Sequence, residues 1–330
     1  MLSLVQKEYK FLDVMKFVMA IVVVAIHTRP EYSCESIIVQ GIFEAIYSIT
    51  VPFFFIASGF LLFRKVSLPL DSEGEKRIKK YLKKIVKLYL IWTAIYLPMT
   101  VYGFYLDKMP ILKSVVVFIR NILLIGENYM SWPLWYLLAL IVGVGIIYGL
   151  LRLRVSINWI VIIGILMAII GVALDYCKEN SIMQTIADLY FTLFSKTRNG
   201  FFVGLLYVSL GMFCSKLKEV SIWAILPIFS IGLLGIYMDI PLSNALVVFA
   251  LFLISISFQS DSLYIWNSQV YRYLSSIIYF CHMIWVALLV LCGGFNSGFL
   301  LFAITTILSV ITGLAFLRKQ ETKFFNLLFN

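Results

Sequence analysis

Ten apolar stretches, separated by short polar joints, follow one another down this chain, at about 11–28, 41–63, 88–105, 133–151, 157–175, 200–217, 221–238, 242–258, 276–292 and 299–317. A membrane-crossing helix needs about 20 mostly apolar residues. The runs are continuously apolar, whereas barrel strands alternate apolar and polar positions. Charged residues make up only 13% of the chain and hydrophobic ones 62%, far from the roughly 25% charged content of a soluble domain. The expectation is an all-α integral membrane protein, a bundle of about ten transmembrane helices forming a single domain over residues 1–330.

Charge then orients the bundle. The first apolar run, Phe17 to Ile26, sits behind Lys7, Lys10 and Lys16 and leads into His27-Thr28-Arg29-Pro30. It lacks a small-residue cleavage pattern, so it reads as a retained span. With the N-terminus inside, 20 basic residues fall on the inner side and 7 on the outer. The positive-inside bias therefore places both termini in the cytoplasm. The net charge of +10 is explained by that bias and by anionic lipid, and no nucleic-acid partner is implied. The five cysteines show no C-x-x-C spacing, so no metal site follows. Cys34 and Cys177 fall in expected outer loops, where a disulfide between them is open.

Two segments have a mixed character. Residues 109–126 carry Lys113 and Arg120 seven apart on one helix face. They read as an amphipathic helix at the outer interface, with a further span as the alternative. Residues 73–87 form a basic helix with Ile78, Leu82, Ile85 and Val86 on one face, within a basic cytoplasmic loop 64–87. This helix suits the anionic inner leaflet, and equally a cradle for a polyanionic cytoplasmic ligand.

The first span carries the chemistry. Asp13, Lys16 and His27 punctuate an otherwise apolar helix, and ionisable groups inside a span usually face the bundle interior or a water-filled cavity. At about 100° per residue, 16 to 27 is close to three full turns, which sets His27 about 16 Å from Lys16 on the same face. Asp13 lies one turn before Lys16. The plain reading is a snorkelling lysine with an acidic partner and an interfacial histidine. The chemical reading is a phosphate-binding lysine and a histidine base. Glu44 sits at the interface or pairs with Arg29 in the plain reading, and orients His27 from the second span in the chemical one. His282, beside Tyr279 and Cys281, is either a packing donor or a catalytic group. Arg198 faces an outer ligand or headgroups. Phe53-Phe54-Phe55 and Ser58-Gly59 suit close helix packing.

These residues resemble the membrane-bound acyltransferase 3 family. The resemblance rests on Leu12-Asp13-x-x-Lys16, ten residues, then His27; on Val51-Pro52-Phe53-Phe54-Phe55-x-x-Ser58-Gly59-Phe60; on Trp132-Pro133-Leu134-Trp135-Tyr136-Leu137; on Thr197-Arg198-Asn199-Gly200; and on Ile278-Tyr279-Phe280-Cys281-His282. It covers nearly the whole chain. Lys16 stands where the family usually has arginine, which keeps the charge but loses the bidentate fork. Lys16 and Ile26-His27-Thr28 are also similar to the membrane part of the serine racemases of vancomycin resistance, which is thought to handle an amino acid.

The resemblance implies a multi-pass enzyme of the plasma (inner) membrane. It would move an acetyl or other short acyl group from cytoplasmic acetyl-CoA, a co-substrate rather than a bound cofactor, to a hydroxyl of an envelope glycan or lipid-linked sugar. His27 would be catalytic, with Glu44 and His282 as further catalytic candidates. Asp13, Lys16, Arg64, Lys65, Trp135 and Tyr136 would serve the acyl-CoA. Arg198 and Asn199 would lie on the acceptor side. The rival expectation is a transporter-like module handling an amino acid or small solute without acyl chemistry.

Overall fold

The computed structural model describes residues 9–178, 184–217, 220–258, 267–318 and 322–329. Lys7, Lys218 and Lys319 of the basic tally lie outside the described residues. Among the described residues the regular structure is entirely helical. The α-helices are α1 (Lys10–Thr28), α2 (Ile37–Phe63), α3 (Ser72–Leu106), α4 (Ile111–Arg120), α5 (Trp135–Arg152), α6 (Ile157–Cys177) and α7 (Gln184–Phe194). They continue with α8 (Leu205–Cys214), α9 (Ile222–Tyr237), α10 (Ser243–Ser257), α11 (Ser268–Leu291), α12 (Phe299–Leu317) and α13 (Lys323–Phe329).

Among the described residues, seven helical segments are long and apolar enough to cross a membrane: α1, α2, α3, Trp132–Arg152, α6, α11 and α12. The chain is a multi-pass membrane protein. The other three expected spans are apolar helices too, but shorter: Gly200–Cys214, α9 and α10. The 16 residues of α9 extend about 24 Å at 1.5 Å per residue, less than the roughly 30 Å of a hydrocarbon core.

The basic segment 73–87 and the third expected span are one helix. α3 runs unbroken for 35 residues. Asp71 caps it by accepting from the Gly74 amide at 2.6 Å. Glu73–Arg77 and Glu75–Lys79 ion pairs, at 3.2 and 2.7 Å, knit its first turns. No proline interrupts it before Pro98, so nothing separates the amphipathic half from the apolar half. Residues 111–120 form the ten-residue α4, too short to span, with no buried residue.

Four helix pairs pack most extensively: α1 against α11, α2 against α8, α11 against α12 and α9 against α10. The α2–α8 pair depends on glycine. A Cβ at Gly59 would sit 2.3 Å from the Val208 carbonyl oxygen, and one at Gly211 2.1 Å from that of Ile56. Only glycine admits this approach. Phe53, Phe55 and Phe63 fill the surrounding core. No disulfide links Cys34 and Cys177.

Candidate active site

The expected polar face of α1 divides between two cavities. One, of about 540 Å³, is lined by Lys16, Lys65, Arg77, Lys80 and Lys84, together with Ser58, Tyr81 and Tyr136. The other, of about 430 Å³, is lined by His27, Arg29, Glu44, Trp132, Trp135 and Arg198. The helical repeat explains the sorting: residues 16 and 27 share a face but lie about three turns apart.

One turn before Lys16, an ion pair joins α1 to α11. Asp13 is buried at 5% exposure. It accepts from Arg272 of α11, with Nη2 at 2.7 Å and Nε at 3.2 Å from both oxygens. Lys16 Nζ lies 3.7 Å from the same carboxylate. The main partner of Asp13 is therefore Arg272, and Lys16 is left with hydrogen-bonding capacity toward the cavity. Lys80 and Lys84 come from α3 with Arg77, which makes the long basic helix a wall of this cavity. Arg64 is placed elsewhere: as C-cap of α2 its guanidinium lies 4.9 Å over the Tyr9 ring.

The second cavity is built around the end of α1. His27, in the last turn of α1, stacks on Trp132 with centroids 5.9 Å apart. On another side it meets His282 at 5.3 Å. These are the two histidines of the chain. His282 is fully buried, with Nδ1 2.9 Å from the Ile278 carbonyl. A carbonyl accepts only, so Nδ1 carries the proton, and Nε2 is an acceptor without a partner. Trp135 and Tyr136 are neighbours in sequence, yet the 100° step of the helix parts them. Tyr136 lines the Lys16 cavity and Trp135 the His27 cavity.

Around the mouth, Arg29 adopts a left-handed backbone, φ 52°, and bonds Glu44 at 2.5 Å and Glu31 at 3.4 Å. Burial works against its charge, but the bonds to the two carboxylates outweigh it and hold the guanidinium above its ordinary value. The bond Glu44 makes is thus to Arg29, the pairing that leaves His27 to other neighbours. Glu31, which drew no notice in the sequence, is buried at 2% exposure and accepts from Tyr47 at 2.6 Å. Arg198 lies 4.6 Å over Trp135 and 3.7 Å from Glu127. Asn199 does not line the cavity. It caps the turn Gly200–Gly204, accepting from Phe201 and Phe202 amides at 3.0 and 3.4 Å.

Residues 9–318 match the family described as an acyltransferase domain. The chain belongs to this acyltransferase family. Among curated relatives, it is 31% identical over 214 residues to an amino-acid racemase of Enterococcus faecalis, covering 63% of this chain and 28% of that protein. It is 29% identical over 220 residues to a serine/alanine racemase of Enterococcus gallinarum, covering 64% and 30%. The chain thus spans less than a third of the length of these curated relatives. No solved structure matches it. Within the matched residues, Lys16 and His27 lie about three turns apart on one face of α1 and line separate cavities.

Proposed function

We propose that this protein is an O-acyltransferase working across its membrane. It takes an acetyl or other short acyl group from cytoplasmic acyl-CoA to a hydroxyl of an envelope glycan or lipid-linked sugar. The observation that carries the reading is the division of labour between two cavities, one rich in cations and one holding His27. The phosphates of CoA suit Lys16, Lys65, Arg77, Lys80 and Lys84, which act on them as point charges. The thioester extends from there toward His27. The acceptor hydroxyl enters the other cavity.

His27 takes the hydroxyl proton as the oxygen attacks the thioester carbonyl. The C–S bond breaks, the C–O ester bond forms, and the sulfur leaves as a thiolate. The imidazolium returns its proton to that sulfur, giving the thiol. His282 lies beside His27 as an acceptor and positions the ring.

A second reading draws on the relatives named racemases: a membrane module that handles an amino acid or small solute without acyl chemistry. One experiment separates the two. Purified protein in detergent is given acetyl-CoA, and binding and slow hydrolysis are followed for the native chain and His27→Ala. The acyltransferase reading expects binding by both and turnover by the native chain alone. Absence of affinity for acetyl-CoA and other short acyl-CoAs overturns it, and amino-acid uptake into vesicles then tests the second reading.

A further inference from the structure

The two cavities touch at one side chain. Among the described residues, Tyr279 alone lines both. It lies on α11 three residues before His282, at 7% exposure. Its hydroxyl donates to the Pro133 carbonyl in the turn leading into α5. Its ring centroid is 5.6 Å from that of Tyr136 and 6.1 Å from that of Phe54, which are themselves 6.4 Å apart. Rings from α2, α5 and α11 therefore close a triangle between the cavities.

The corners of this triangle are not alike. Tyr136 is tied to α2, its hydroxyl 2.7 Å from Ser58 Oγ and 3.2 Å from the Phe54 carbonyl. Tyr136 and Phe54 line the Lys16 cavity and not the other. Tyr279 is the corner that faces both sides.

We propose that Tyr279 is the specificity-determining residue for acyl length. The inference rests on the acyltransferase reading: a donor anchored by the basic cavity presents its thioester carbon to His27 at the boundary these three rings form, with its acyl chain turned among them. An acetyl group places a single methyl among them. A longer chain must lodge between rings already in contact, and a close-packed interior resists extra methylenes. Tyr279 therefore admits the shortest acyl groups and excludes longer ones. The CoA phosphates are met by the cations of the basic cavity rather than by the rings, so selection falls on turnover rather than on affinity.

The test is a series of acetyl-, butanoyl- and hexanoyl-CoA with purified native protein, Tyr279→Ala, Tyr279→Leu and Tyr279→Phe. In the native protein, kcat falls at least about tenfold from acetyl to hexanoyl while KM stays within about twofold. Tyr279→Ala and Tyr279→Leu bring the two kcat values within about threefold of each other, and Tyr279→Phe, which keeps the ring, preserves the native ratio. Native protein that turns over hexanoyl-CoA as fast as acetyl-CoA overturns the proposal without any variant. So does a folded Tyr279→Ala protein with the native ratio. Absence of affinity for all three acyl-CoAs in the native protein is a different result: it sinks the acyltransferase reading, and this proposal with it.

Discussion

His27 and His282 meet ring to ring with centroids 5.3 Å apart, although one ends α1 and the other lies deep in α11. The Nδ1 proton of His282 is committed to Ile278, which leaves Nε2 as a buried acceptor without a partner. A ring N–H on His27 is the natural donor to such an atom, and that bond would leave the other His27 nitrogen unprotonated toward the cavity.

His282→Asn is therefore informative. The Asn amide can replace the donor to Ile278 but carries nothing at the Nε2 position. We expect kcat for acetyl-CoA turnover to fall about tenfold, whereas His27→Ala costs about 10²- to 10⁴-fold. Melting temperature and acetyl-CoA affinity of His282→Asn should stay near native. A matching loss of melting temperature would instead mark His282 as a packing residue.

What the sequence disclosed follows from distance along the chain. Lys16 and His27 are legible because one helix fixes their spacing by its own repeat. Gly59 is legible as a packing residue for the same local reason. Arg272 as partner of Asp13 is not, since 259 residues separate them. Glu31 escaped because a carboxylate in a loop reads as solvated, and its burial depends on Tyr47 folding over it. The unity of α3 was obscured by composition. A charged half and an apolar half suggest two elements, although no helix breaker divides them.

The Asp13–Arg272 pair should matter to stability. Asp13 is buried while the Arg272 side chain is 46% exposed, so solvent screens part of the interaction. Arg272→Ala leaves a buried carboxylate with only the distant Lys16 ammonium, at 3.7 Å. Breaking a fully buried pair costs about 3–5 kcal/mol, and the exposure of Arg272 reduces this to roughly 1–3 kcal/mol. Unfolding of the native and Arg272→Ala proteins in mixed micelles measures the difference. Adding Asp13→Asn to Arg272→Ala should recover part of the loss, because the uncompensated charge is gone.

Glycine substitutions should separate by site. Gly211→Ala would drive a Cβ to 2.1 Å from the Ile56 carbonyl oxygen, and that backbone cannot yield without parting α2 from α8. We expect a loss of about 3 kcal/mol or more, or failure to accumulate folded protein. Gly145→Ala, on α5, meets nothing within 4 Å and should be neutral or stabilising by up to about 1 kcal/mol. Equal behaviour of the two variants in a thermal melt would contradict the close α2–α8 contact.

The basic cavity makes the last prediction. Lys80 and Lys84 line it from α3, whereas Arg64 is held against Tyr9 outside it. Each lysine in a partly solvated site contributes on the order of 0.5–1 kcal/mol to binding a polyanion, so Lys80→Ala with Lys84→Ala should raise the Kd for acetyl-CoA by roughly 5- to 30-fold. Arg64→Ala should change it less than about twofold. The contribution is electrostatic and must weaken with salt, so the gap between native and double variant should narrow as ionic strength rises from about 0.05 to 0.5 M. Isothermal titration at both salt concentrations decides the matter. A gap that does not depend on salt would mean that the lysines support the cavity by packing, and that the phosphates of the donor sit elsewhere.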